Sequence, residues 1–434
     1  MLKKQIRDLL GSYGQLQIAN DLDTLSVNEL QAFLAQLTAY APLLKEQQRV
    51  LKSPPSSFQL KPLQSFQKSG NHSHQTHGKT LLSQGKVGCL ILAGGQGTRL
   101  SLGKPKALTP LTLIKHKSLL QFFCEKTLAA SYQARASLPL AIMTSPLNYT
   151  EIKSHLEEHH FFGLNPSQVS LFSQDMLPFL DDNGCWLLES SNKLLVGPDG
   201  NGHSLKLFVK SGVCQKWKEQ GIEYVNMIPI DNPLADPFDA ELVGSLAKSQ
   251  SDICVKAMMR ETPDEKVGIL GLHNETICIQ EYTEMPEDSS SFMIGNPGLF
   301  SFTLNFAQKI ASYDLPLHLA RKKAVVFSKN KQETLLIWKF ERFILDIFPY
   351  STKTEVIVYP REDIYAPIKN ASGDKSLATS QKALLEFDKR TYEKISGLKA
   401  PEKDFELSPC FYYPSAELIQ KWKGKAFPSE DYLT

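Results

Sequence analysis

Apolar and polar positions fall in blocks along the chain, and the period within each block predicts an element. Near the N-terminus apolar side chains recur at Leu30, Phe33, Leu34 and Leu37, which is one face of a helix. Ser26-Val27-Asn28-Glu29 precedes them as a capping box, with Leu25 and Leu30 spaced as a hydrophobic staple. From Ser53 to Gly85 the pattern dissolves into Pro, Ser, Gln, Lys and His, which predicts a linker or loop. Order returns at Val87-Gly88-Cys89-Leu90-Ile91-Leu92-Ala93, a short apolar run ending in glycines, as a buried parallel strand would. Residues 118–130 have helical spacing. Strand-like runs follow at 138–143, 169–172 and 224–230, separated by polar or helical stretches.

Strands alternating with helices predict an α/β sheet with crossover connections, whose ligands gather beyond the carboxyl ends of the strands. Residues 267–272 and 276–282 predict two strands around a His273-Asn274-Glu275 turn. Residues 334–347 have helical spacing, and 355–359 alternate as a strand. After Asn370 a helix rich in Lys and Leu leads to a tail with an apolar piece at 410–413. No internal repeat is found, and no hexapeptide period of a β-helix. The expected organisation is a helical region and flexible linker (1–85), a main domain (86–370) and a small C-terminal domain (371–434).

With 434 residues, more than one domain is expected. A net charge of +2 argues against a nucleic-acid binder, whose affinity rests on many cations, so anion binding must be confined to a pocket. Seven cysteines lie scattered, with no C-x-x-C pair, and read as the reduced thiols of a cytoplasmic protein. No signal peptide is visible, and no apolar run approaches the roughly 18 residues of a membrane span. His72, His74 and His77 lack a neighbouring Cys or carboxylate to complete a metal set, and read as part of a solvated loop.

The densest chemistry is Leu92-Ala93-Gly94-Gly95-Gln96-Gly97-Thr98-Arg99-Leu100, followed by Pro105-Lys106. Three glycines past a strand let the backbone curl and turn N–H groups toward phosphate oxygens. Arg99 and Lys106 add full positive charge suited to a triphosphate. A dinucleotide fingerprint would need glycine where Leu100 stands. A P-loop would need four residues, not five, between Gly97 and Gly103-Lys104.

The segment from Ala93 to Arg99 with Pro105-Lys106 resembles the signature of the sugar-1-phosphate uridylyltransferases, specifically the UDP-N-acetylhexosamine pyrophosphorylases. The resemblance continues through Met143-Thr144-Ser145, residues 172–178, Pro198-Asp199-Gly200-Asn201-Gly202 and Ile230-Asp231-Asn232. It extends over residues 281–284, Gly295-Asn296, residues 315–318, Arg361-Glu362-Asp363 and residues 367–370. It implies a Rossmann-like nucleotidyltransferase domain with a mixed, mainly parallel sheet, between a helical N-terminal region and a small C-terminal domain. It implies UTP and a sugar 1-phosphate as substrates, magnesium as cofactor, and no nucleic-acid or membrane partner.

By the same resemblance, Gly94, Gly95, Gln96, Gly97 and Thr98 hold the nucleotide, and Gln174 pairs with uracil through its amide. Gly200 and Asn201 meet the nucleoside and sugar, and Glu281 and Asn296 meet sugar hydroxyls. Asp231 offers magnesium a hard oxygen. Arg99, Lys106 and Lys369 are the catalytic cations, with His318, Lys322 and Lys323 as a second tier. The chain departs from the family pattern at Ser101, Ala107, Met293-Ile294 and His203, each replacing a smaller residue or a glycine. Ile294 and His203 bear on the sugar. Asn201 and the Glu281-Tyr282-Thr283-Glu284 motif favour N-acetylglucosamine 1-phosphate, glucose 1-phosphate is the alternative, and an inactive sugar-nucleotide sensor is a third reading.

Overall fold

The computed structural model describes all residues except Asn20, 54–58, Gln96, 98–102, 285–289 and 329–330, and the side chain of Thr283. The described residues gather into two compact units, neither continuous in sequence. The first comprises Met1–Ser57, Gln174–His203 and Asp314–Asp346, and the second Phe58–Ser173, Ser204–Tyr313 and Ile347–Thr434. Among the described residues no helix is long and apolar enough to cross a membrane.

The second unit is built on the expected α/β sheet. Its strands are β1 (Val87–Leu92), β2 (Leu140–Thr144), β3 (Val169–Ser173), β4 (Tyr224–Pro229) and β5 (Ile253–Met259). They are joined by β6 (Gly268–His273), β7 (Thr276–Gln280), β8 (Ile294–Thr303) and β9 (Thr354–Tyr359). The order across the sheet is β9-β5-β8-β4-β1-β2-β3, with the short strand Gln67–Lys68 outside β9. β4, β1, β2 and β3 run parallel, as do β5 and β9. β8 is antiparallel to both its neighbours, which makes the sheet mixed. Five of the six residues of β1 are buried, as the uninterrupted apolar run requires for a strand covered on both faces. The β6–β7 hairpin forms around Asn274 and Glu275, both with positive φ, and ends at Gln280 rather than Tyr282.

The first unit carries the N-terminal helices. Ser26 and Glu29 form the expected capping box, the Ser26 N–H donating to Glu29 Oε2 at 2.8 Å. The helix Val27–Lys52 buries Leu30, Phe33, Leu37, Ala41 and Leu44 against Trp186 and Phe340. Two expectations are corrected here. Residues 334–347 are not a helix: Lys331–Glu341 is a strand paired antiparallel with His318–Ser328. Its first six residues are exposed, but from Ile337 on both faces are covered, Ile337 packing with Phe179 and Val326 while Phe340 joins the N-terminal core. Burial of two residues three apart on opposite faces mimics a helical period. Likewise, the expected linker contains a helix, His72–Ser83, in the second unit. Asn71 caps it, accepting from the Ser73 and His74 N–H groups at 3.0 and 3.2 Å. Its buried face is Gly78, Leu81 and Leu82, too small a stripe to read from sequence. A Cβ on Gly78 would lie 1.7 Å from the Ala240 carbonyl oxygen, so only glycine allows this helix so close to Ala240–Ser249.

The C-terminal stretch has a small core of its own, with Tyr392, Phe405, Leu407, Phe411 and Trp422 packed together. Asp388, on the helix Leu377–Ser396, accepts from the Tyr412 hydroxyl at 2.6 Å and the Leu407 N–H at 3.0 Å. Burial pushes its carboxyl up to about 7, against the pull of those two donors. Between pH of about 4 and 7 the folded chain therefore holds a proton that the unfolded chain has released. Stability contributed by Asp388 falls as pH rises through that window, at up to about 1.4 kcal/mol per pH unit. Denaturant unfolding of Asp388→Asn should show a shallower decline between pH 5 and 7 than the parent. Parallel profiles would contradict this.

Candidate active site

β1 and β4 are parallel neighbours in register, Leu92 opposite Pro229. The ladder runs one step further, with the Ile230 N–H donating to Leu92 C=O at 3.1 Å. The glycine loop after β1 and Asp231 after β4 therefore leave the sheet together, at its carboxyl edge. Gly94 is buried, Gly95 exposed and Gly97 half-buried. Gly97 has φ +62°, a left-handed conformation that favours glycine. The start of the loop is fixed by Asn148, whose amide donates to Ala93 C=O at 3.0 Å while its oxygen accepts from the Ser145 N–H at 2.7 Å. Gln96, Thr98 and Arg99 lie outside the described residues.

After the loop, Pro105 leads into a short 3₁₀ turn beginning at Lys106. The Lys106 ammonium sits 3.2 Å from Asp231 Oδ2, with both side chains about one-sixth exposed (16% and 17%). Lys369 approaches the same carboxylate by another route. Asn232, fully buried, donates to Ile364 C=O at 2.7 Å and accepts from the Ala366 N–H at 3.0 Å. The Ile368 N–H then donates to Asp231 C=O at 2.8 Å. These three bonds lash residues 364–368 to the end of β4. Lys369 is exposed, and although packing around it disfavours its ammonium, the negative charge of Asp231, with that of Glu281, more than offsets this. Its pKa lies above that of an ordinary lysine, and it stays charged. Lys106, Asp231 and Lys369 are thus brought together, with Glu281 near enough to Lys369 to bias its proton.

Asn296, on β8, lies opposite Gly268, and its side-chain oxygen accepts from the Gly298 N–H at 2.9 Å. Its amide NH₂ is the end suited to a hydroxyl. In the first unit, Met176–Pro178 pairs antiparallel with Val196–Pro198. The Asp199 N–H to Asp175 C=O bond (3.1 Å) extends that ladder, bringing Gln174 and Gly200 to one end of it. Gln174 is buried. Gly200 has φ +89°, and a Cβ there would lie 2.3 Å from the Arg342 carbonyl oxygen. Asn201 accepts from the Ile344 N–H at 3.0 Å through its side-chain oxygen. The second-tier set does not converge: His318 Nε2 is 2.9 Å from Asp346, Lys322 lies over the Phe179 ring, and Lys323 is exposed.

A family model described as UTP–glucose-1-phosphate uridylyltransferase matches residues 30–409. The chain belongs to that family. Among relatives, a UDP-N-acetylglucosamine diphosphorylase 2 of Arabidopsis thaliana is 31% identical over 322 residues, 68% of this chain and 63% of that protein. A probable UDP-N-acetylglucosamine pyrophosphorylase of Schizosaccharomyces pombe is 29% identical over 463 residues, 96% of this chain and 97% of that one. A solved structure of a pyrophosphorylase of the same kind from Entamoeba histolytica superposes with TM-score 0.77 at 27% identity, covering 87% of this chain and 100% of that one. Another, from Trypanosoma brucei, reaches 0.80 at 23% identity over 100% and 98%, and supports the fold. The α/β sheet expected from the residues, and the nucleotidyltransferase architecture implied by the resemblance, are therefore the observed ones.

Sequence reasoning assigned no role to Asn148 or Asn232. Both are buried amides that satisfy backbone groups. Their only signal was an Asn at the end of a strand or the start of a helix, which also marks ordinary turns. Asn232→Ala would strand the Ile364 carbonyl and the Ala366 N–H. We expect a loss of roughly 2 kcal/mol or more in denaturant unfolding, with turnover falling as Lys369 loses its anchor. Unchanged stability and turnover would show that the anchor is dispensable.

Proposed function

We propose that this chain joins UTP to N-acetylglucosamine 1-phosphate, giving UDP-N-acetylglucosamine and pyrophosphate. The observation that carries the reading is the convergence of Lys106 and Lys369 on Asp231, beside a glycine loop at the carboxyl edge of parallel strands. A sugar phosphate is mostly a dianion at neutral pH, since its second pKa lies near 6, like that of phosphoserine. It needs no general base. The barrier lies in bringing two anions into line and in stabilising charge on the departing pyrophosphate. Lys106 and Arg99 would hold the triphosphate, and the charged Lys369 would take up charge as the bond to pyrophosphate breaks. Backbone N–H groups of Gly94, Gly95 and Gly97 would fix the phosphates, with Gln96 and Thr98 completing the loop.

Asp231 fits the magnesium role. It is a partly exposed carboxylate, and magnesium is commonly held by one or two carboxylates plus substrate phosphates. Its present partner, Lys106, is free to pass to the triphosphate when that arrives. When bound, the ion would neutralise phosphate charge and offset repulsion between the reactants. Gln174 would read uracil, while Gly200, Asn201, Glu281 and Asn296 would face nucleoside and sugar. The relatives' printed names and Asn201 support N-acetylglucosamine over glucose. Free thiols, five of the seven buried, support a reducing, cytoplasmic setting.

Two measurements test this. Pyrophosphate release from UTP against N-acetylglucosamine, N-acetylgalactosamine and glucose 1-phosphates should be fastest with the first. It should stop on chelation of divalent ions and return with magnesium. A preference for glucose 1-phosphate would reassign the sugar, and UDP-sugar binding without turnover would support the sensor. In the same assay, Lys106→Ala or Arg99→Ala should lose roughly 10²-fold or more in kcat, and near-native turnover in either would remove that residue from the mechanism.

A further inference from the structure

In the first unit, one carboxylate is held without adequate compensation. Asp199 is 0% exposed, and neither of its side-chain oxygens has a hydrogen-bond partner. The opposite charges beside it are His203, with Nδ1 3.4 Å from Oδ2, and Arg342, with a guanidinium nitrogen 3.9 Å from the same oxygen. Both distances exceed the 2.7–3.2 Å or so of an ordinary N–H···O bond. His203 is itself buried, and its Nε2 likewise has no partner. Arg342 is drawn in other directions, donating from Nε to Leu315 C=O at 3.2 Å and lying 3.8 Å from Glu46. The exposed Asp175 completes the group: one oxygen or nitrogen from each of Asp175, Asp199 and His203 lies within 4.8 Å of the others. Two carboxylates and an imidazole thus lie together, with Arg342 as the permanent cation beside Asp199, and a divalent ion would give the two buried carboxylate oxygens the partner they lack.

We propose that Asp175, Asp199 and His203 form a binding site for a zinc-class divalent ion, separate from the magnesium role of Asp231. The donor set selects the ion. An imidazole nitrogen with two carboxylates suits zinc, whereas magnesium prefers oxygen ligands alone. Tetrahedral ligands 2.0–2.2 Å from an ion stand about 3.4 Å apart, so closing the set needs a shift of up to about 1.4 Å. The exposed Asp175 side chain can supply it, while Asp199 and His203 are fixed by burial. The bound ion ties together the ends of Met176–Pro178 and Val196–Pro198, the paired strands that lead to Gln174 and to Gly200-Asn201. Its work is positioning: it holds the residues proposed to read uracil and sugar in one geometry. The same arrangement accounts for His203, which stands where the resembling family carries glycine.

The test is titration of metal-free protein with Co²⁺ alone, without substrates, followed by visible d–d absorption and by calorimetry. One Co²⁺ per chain should bind with an imidazole-containing spectrum, raise the unfolding midpoint, and remain bound in Asp231→Asn. In His203→Gly the affinity should fall by about 10²-fold or more, since even second-shell changes cost 10- to 100-fold. The metal-free unfolding midpoint of His203→Gly reports whether the variant folds. If it does not, Asp175→Asn, at an exposed position, is read in its place with the same expected loss. Co²⁺ binding that disappears in Asp231→Asn but persists in a folded His203→Gly or Asp175→Asn overturns the proposal, as does the absence of binding to the parent. Either result leaves the uridylyltransferase reading standing, because that reading is measured by pyrophosphate release with magnesium.

Discussion

The in-register parallel pairing of β1 with β4 governs everything that happens at the edge of this sheet. Hydrogen bonds between the two strands, continued by Ile230 to Leu92, force the glycine loop and Asp231 to emerge at the same level. Each neighbouring group then has a fixed place to attach. Asn148 holds the loop from the side of β2, and Asn232 and the Asp231 carbonyl hold the segment ending at Lys369. Lys106 pairs with the Asp231 carboxylate at 3.2 Å, and main-chain bonds bring the segment ending at Lys369 to the same residue. Their charges reinforce a geometry that the backbone has already set.

That geometry suits a reaction whose difficulty is electrostatic. A cation fixed before the substrates arrive need not be reorganised during bond breaking, and fixed charge is worth more where water is partly excluded. The raised pKa of Lys369 belongs to the same logic: the nearby Asp231 carboxylate favours its charged form.

Much of this was legible in the residues. The apolar run from Val87 to Ala93, the glycines after it and the Ile230-Asp231-Asn232 strand end each carry a local signal, and together they predicted the sheet and put the loop and Asp231 at its carboxyl edge. What escaped was whatever depends on neighbours remote in sequence. The end of the strand Lys331–Glu341 is buried on both faces because two different cores meet it, and no local period can reveal that. The helix His72–Ser83 owes its stability to the close approach allowed by Gly78, and to Glu241, whose carboxylate accepts from the Gly70 and Asn71 N–H groups at 2.7 Å. Its polar composition reads as loop when that partner is unseen. Lys369 was identifiable only through resemblance, since its partner Asp231 stands far earlier in the chain.

The antiparallel strand β8 has a consequence for how the chain assembles during synthesis. It hydrogen-bonds β4 on one side and β5 on the other, so it is the seam between two parallel blocks. The β1–β4 block is complete in sequence once Pro229 has emerged from the ribosome, and can begin pairing while the rest is still being translated. β5 has no place in the sheet until residues 294–303 arrive, and β9 must wait for β5. The nascent chain therefore displays the unpaired edge of β4 for the time needed to add more than 60 residues. That exposed edge is where a ribosome-associated chaperone has most to protect.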